Sequence, residues 1–225
     1  MYFADNVNIF VNMCSTQRAL HKHPKSRLRM ISLGFVSKKM LANWNGAPLH
    51  LPDFQFHEKH SAVIKTNCPE KIMPLIKSFD LEQDSVIRAL MSIRQLPQKL
   101  QGKAPKTHDD EFGLQTFTLL HASDLELCYG LRGEFWRADF GLEKISNAEE
   151  YQQPARPGAA KLLLRYQVNL INDSQSELIT ETFIHCPDKA SHCKMAAYWL
   201  AIRAGSGLIR RRMLSSVKHE LEIPS

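Results

Sequence analysis

The 225-residue chain predicts an α+β domain: a curved antiparallel sheet with one long C-terminal helix laid across it. Three observations carry that expectation. Apolar residues recur with period two between about residues 114 and 185. The connections there are short and rich in turn residues, so neighbouring strands run antiparallel. Beyond Pro187 the period becomes helical and stays so to about Leu221.

The body is read as starting near Leu51. His57–Thr66 (HEKHSAVIKT) has the β-branched content and partial alternation of a strand, with Ala62 and Ile64 on one side. Asn67, Pro69 and Glu70 then suit a helix start, and Ile72, Leu75, Ile76 and Phe79 fall on one face of the helix that follows. A second helix is expected over Asp84–Ile93, ended by Pro97. Gly113–His121, Asp124–Arg132 and Phe135–Phe140 read as three strands. Lys161–Ile171 and Glu177–His185 read as a hairpin turning at Asn172-Asp173-Ser174. In the C-terminal helix, Ala190, Cys193, Ala197 and Ala201 make a narrow stripe of small residues. Met195, Trp199 and Ile202 widen its apolar surface, and Gly205-Ser206-Gly207 reads as a kink.

Charge is unevenly placed. The net charge is +6, yet residues 1–52 hold seven Lys/Arg and one acid, whereas residues 53–225 hold 22 of each sign. The basic character thus belongs to the head, read as a poorly ordered extension over residues 1–50. The neutral body argues against a phosphate-tracking surface, and no nucleic-acid partner is expected. No apolar run approaches the roughly 20 residues of a membrane-spanning helix. The stretch Val7–Met13 has no basic residue before it and is interrupted by Asn8 and Asn12, unlike a secretory leader. Five cysteines without a CxxC suit free thiols, a reducing compartment and a cytoplasmic location. The pairs His185-Cys186 and His192-Cys193 lack the close spacing of structural zinc ligands, so neither metal nor cofactor is expected.

The element order resembles the helix-grip fold of the START-like superfamily, which includes polyketide cyclases and lipid-transfer domains. Three segments are similar to bacterial members of unassigned function: Glu126–Trp136 (ELCYGLRGEFW), Leu178–Phe183 (LITETF) and Tyr198–Met213 (YWLAIRAGSGLIRRRM). The resemblance covers about Phe54 to Leu221. It implies a cavity for a hydrophobic small molecule or lipid rather than a fixed chemistry.

No nucleophile elbow, phosphate-binding loop or HExxH motif is present. Tyr129, Arg132, Trp136, Tyr198, Trp199 and Ile202 are the residues expected to line such a cavity, because ligand sites are mostly apolar with sparse polar anchors. Glu181 is the weak catalytic candidate. Facing a cavity it would have a raised pKa and serve as acid or base. Paired with Arg165 or Arg132 across the sheet it would be ordinary strand stabilisation, the favoured reading. The small-residue stripe is expected to leave the cavity unfilled, and the glycine kink to open its mouth. The leading expectation is therefore non-catalytic binding of a hydrophobic molecule. The alternatives are a cyclase- or hydratase-like enzyme using Glu181, and a protein-interaction factor acting through the basic head.

Overall fold

Strand alternation resolves into a five-stranded, curved, open antiparallel sheet: β1 (Phe56–Lys65), β2 (Thr118–Ala122), β3 (Glu126–Gly133), β4 (Ala160–Asn172) and β5 (Gln175–His185), in the order β1-β5-β4-β3-β2. The structure is a computed structural model that describes residues 33–79, 114–137 and 139–222, within a unit that begins at Leu33. Short helices are α1 (Lys38–Ala42), α2 (Ile72–Lys77) and α3 (Ala148–Gln152); α4 (Lys189–Glu222) is 34 residues long. The helix expected over residues 84–93 lies outside the described residues.

The period-two pattern sorts side chains onto two faces. Phe56, Ile64, Leu127, Leu131, Leu164, Tyr166, Val168, Leu178 and Ile184 point to the face covered by α4 and α2, the front. Leu163, Phe183 and Cys128 point to the back, where Val36, Leu51, Phe54, Ile145 and the fully buried Tyr151 cover them. Gly130 permits this on β3, because a Cβ there would sit 2.6 Å from the Tyr151 ring.

The hairpin and α4 form where the sequence predicts them. Asp188 starts α4 by accepting the Ser191 amide at 2.8 Å. Four local expectations are corrected. Residues 114–116 form a 3₁₀ turn, and strand begins only at Thr118. The described residues of Phe135–Phe140 contribute no strand. Glu134 and Phe140 close a turn by a backbone hydrogen bond of 2.9 Å, and Phe140 adopts a φ of 55°. Asn67 does not cap the turn Pro69–Lys71; Thr66 Oγ1 accepts the Cys68 amide instead. Residues 33–50 are built into the domain: Val36 donates to Gln55 O at 2.8 Å, and Trp199 Nε1 donates to Leu33 O at 2.9 Å.

The largest correction concerns α4. Ala190, Cys193, Ala197 and Ala201, expected to face the sheet, are all solvent-exposed. The buried positions are Ser191, Met195, Trp199, Gly207, Met213, Leu214 and Val217. Bulky residues win the interior because they remove more apolar area from water than alanines do. The helix also runs unbroken through Gly205–Gly207. Gly207 serves close approach: a Cβ there would lie 3.2 Å from Glu58 Oε1 and 3.3 Å from the His60 ring.

Candidate functional site

Beneath the middle of α4 the front face changes character. Met195 and Trp199 pack with Phe56, Leu131 and Ile184 at one end of the helix; Met213, Leu214 and Val217 pack with Ile64, Tyr166 and Leu178 at the other. Between them the strand register builds two mixed rows. One runs Glu58–Thr182–Leu164–Tyr129 across β1, β5, β4 and β3; the next runs His60–Thr180–Tyr166–Leu127. Each row is polar toward β1, where α4 lies, and apolar toward β3.

Glu58 is the centre of the polar end and is 7% exposed. Its carboxylate lies 3.1 Å from His60 Nε2, 3.2 Å from Arg210 Nη1 and 3.7 Å from Arg203 Nε. Burial alone would raise the Glu58 pKa. The close contact with His60 and the charges of Arg210 and Arg203 outweigh burial and hold it below the ordinary glutamate value. Burial lowers the Arg210 pKa, an effect opposed by Glu58 and Tyr166. Tyr166 OH donates to Met213 Sδ at 3.7 Å, and burial pushes its pKa upward. Thr182, 1% exposed, has a buried Oγ1 without a hydrogen-bond partner among the described residues. A buried hydroxyl left in that state costs free energy unless something else meets it.

Of the predicted site residues, Trp136, Tyr198 and Trp199 meet at one apolar cluster, while Tyr129, Arg132 and Glu181 lie elsewhere. Tyr129 is on the front face, its ring 6.4 Å from that of Tyr166. Trp199 is 2% exposed, stacks near Phe56 and holds the Leu33 carbonyl, so it is a structural clasp. Tyr198 and Trp136 pack half-buried against the same cluster, and Ile202 is half-buried nearby along α4. Arg132 faces the back, 3.1 Å from Glu143 and donating to the carbonyls of Glu150, Gln153 and Pro154, where it organises the loop before β4.

Glu181 also faces the back, away from α4. Arg165 Nη2 binds its Oε2 at 2.6 Å, and His57 Nε2 lies 3.0 Å from its Oε1. Trp44 and Phe183 pack on the His57 ring at 4.6 and 4.8 Å. Burial would raise the Glu181 pKa, but the hydrogen bonds from His57 and Arg165 prevail and lower it. This is the cross-strand pairing favoured from sequence, and the shift runs opposite to the one an acid catalyst requires.

Sequence reasoning did not bring Glu58, His60 and Arg210 together. The signal was present in HEKH, where two polar residues at i and i+2 share a face with Phe56 and Ile64. Burial pushes the Cys128 and Cys186 thiols up to about 12, so neither is a nucleophile at neutral pH. No metal-holding group of three or more His, Cys, Asp or Glu occurs among the described residues. No helix there is long and apolar enough to cross a membrane. An open depression of about 340 Å³ lies at the far end of β1 beside the β4–β5 turn, lined by none of the predicted site residues. Comparison with protein-family models, curated proteins and solved structures finds no match for the chain.

Proposed function

We propose that the chain is a START-like helix-grip domain that binds a hydrophobic small molecule or lipid between its sheet and α4. One observation supports the reading: the front face is an apolar bed into which Glu58, His60 and the Thr182 hydroxyl, which has no hydrogen-bond partner among the described residues, are set, instead of a uniformly apolar core. Folding alone gains little from such groups, since well-packed apolar residues of similar volume are often as stable or more so. A ligand with an apolar body and a polar group uses both kinds of surface.

The test is native mass spectrometry of the full chain, followed by organic extraction. A stoichiometric adduct that survives desalting supports binding and identifies the compound class. A clean apo mass, together with no fluorescence gain from an apolar dye titrated to high micromolar concentration, rejects it.

A second reading, acid–base chemistry of the cyclase or hydratase type, draws on the Glu58–His60 contact at 3.1 Å, in the face whose next row runs through Thr180 to Tyr166. In that case Glu58→Gln abolishes turnover of the extracted compound, whereas Glu181→Gln leaves it in place.

A further inference from the structure

The long helix α4 carries charge of one sign. Between Lys189 and His219 it holds seven Lys and Arg residues and no Asp or Glu. Arg203 and Arg210 turn inward to Glu58, and Lys218 lies 3.9 Å from Glu222. Lys189, Lys194 and Arg211 are exposed along the helix. Apolar residues line its outer side. Cys193, Ala197, Leu200, Ala204 and Leu208 follow one another at steps of three or four, so they form a single line. All five are exposed, Leu200 by 52% and Leu208 by 40%. At 1.5 Å per residue the line runs about 22 Å. Packing of the domain does not use it, because Met195, Trp199, Met213, Leu214 and Val217 fill the inner face instead.

We propose that the outer face of α4 docks on an anionic lipid surface and lies in its plane. Leu200 and Leu208 then reach the boundary of headgroups and acyl chains, while Lys189, Lys194 and Arg211 meet the lipid phosphates. Charge complementarity chooses this occupant. A second copy of the chain would set the cations of one α4 beside those of the other, with no α4 carboxylate in the line to offset them. An acidic protein would satisfy the charge. Protein interfaces, however, centre on aromatic or arginine anchors seated in pockets, and this line is a convex ridge of small residues with two leucines. A lipid surface needs no pocket and takes a helix with an apolar line and basic flanks lying flat. The half-buried Trp136, 6.0 Å beneath Lys194 Nζ, adds an amphipathic ring at the edge of the face. The helix is not apolar enough to cross a membrane, so the contact stays in the interface. Two leucines bury too little to hold a neutral membrane, which leaves the basic residues in control at about fivefold in affinity each. The proposal stands apart from the ligand-binding reading, since a domain holding no ligand would dock equally well.

Co-sedimentation of the full chain with vesicles tests this, using phosphatidylcholine alone and an equal mixture with phosphatidylglycerol at physiological salt. The mixed vesicles should bind the chain at least about tenfold more tightly than the neutral ones. Arg211→Glu removes a positive charge and adds a negative one, so it should weaken that binding roughly 25-fold. Leu200→Asp should weaken it several-fold. Lys59→Glu makes the same charge change on the back of the sheet, away from the lipid, and should cost less than about twofold. All three positions are exposed, so the thermal midpoints of the variants should match that of the wild type. Equal losses for Arg211→Glu and Lys59→Glu overturn the assignment and leave net charge alone as the cause. Binding that survives both Arg211→Glu and Leu200→Asp overturns it in favour of the basic head over residues 1–52. A chain that ignores both kinds of vesicle overturns it as well, whether it binds poly-L-glutamate, as an acidic-protein site would, or forms a dimer that Leu200→Asp dissociates.

Discussion

Adjacent residues of β1, His57 and Glu58, belong to two clusters of the same ingredients on opposite faces of one sheet. On the back, Glu181 is matched by one guanidinium and one imidazole, each within 3.0 Å, and aromatic rings close over them. On the front, Glu58 is met by an imidazole and two guanidiniums at 3.1 to 3.7 Å, under a helix that offers a glycine at that point. Composition alone does not distinguish the two clusters. The distinction lies in whether the donors are used up and whether the cover is rigid.

The sharpest break of the contrast is Arg165→Met. Removing the guanidinium leaves a buried carboxylate with His57 alone, a loss of about 3 kcal/mol, read from urea unfolding. Arg203→Gln should cost under about 0.5 kcal/mol in the same assay, because its pair is longer and more exposed. Comparable losses would erase the distinction.

Glycine substitutions probe the covers. Gly130→Ala drives a Cβ to within 2.6 Å of the Tyr151 ring and should cost about 2 kcal/mol. Gly207→Ala meets the ends of the Glu58 and His60 side chains at 3.2 to 3.4 Å, which can yield. Its crowding is offset by a gain of about 1 kcal/mol in helix propensity, leaving the thermal midpoint within about 2 °C of wild type.

Acid should act on both faces. Glu58 and Glu181 have folded pKa values below the unfolded value of about 4.3, so the folded state binds fewer protons. Their contribution is complete above the unfolded value and disappears as pH falls through the folded ones. Stability should therefore drop with pH below about 4.3, and Glu181→Gln should flatten that slope. A slope unchanged by the substitution would place the acid sensitivity elsewhere.

The elements legible in the sequence are those whose cause is local. Alternation in β3, β4 and β5, the hairpin at Asn172–Ser174 and the Asp188 start of α4 depend on neighbours a few residues away. The segment 33–50 was illegible because its anchor, Trp199, is 166 positions from Leu33. The orientation of α4 was misread because small residues mark neither interior nor exterior by themselves, and Gly207 took the inner position that the alanines did not. Phe135–Phe140 looked like strand on composition, but an Arg137–Asp139 ion pair at 2.8 Å fits the turn it makes. Of the candidate site, the Glu181–Arg165 pair was readable from strand register. The Glu58 cluster was not, since its arginines lie about 150 residues away on another element.

The sheet order has a consequence for how the chain is made. β1 pairs with β5, and 109 residues separate Lys65 from Gln175. At roughly 5–20 residues per second, a ribosome exposes β1 for on the order of ten seconds before its partner strand exists. The Leu33 carbonyl waits longer still, for Trp199, 166 positions on. Cotranslational closure can begin with β2, β3 and β4, whereas β1, made before them, is among the last of the five to be captured. Lys59 and Lys65, charged and exposed on β1, discourage that waiting strand from pairing with another nascent chain.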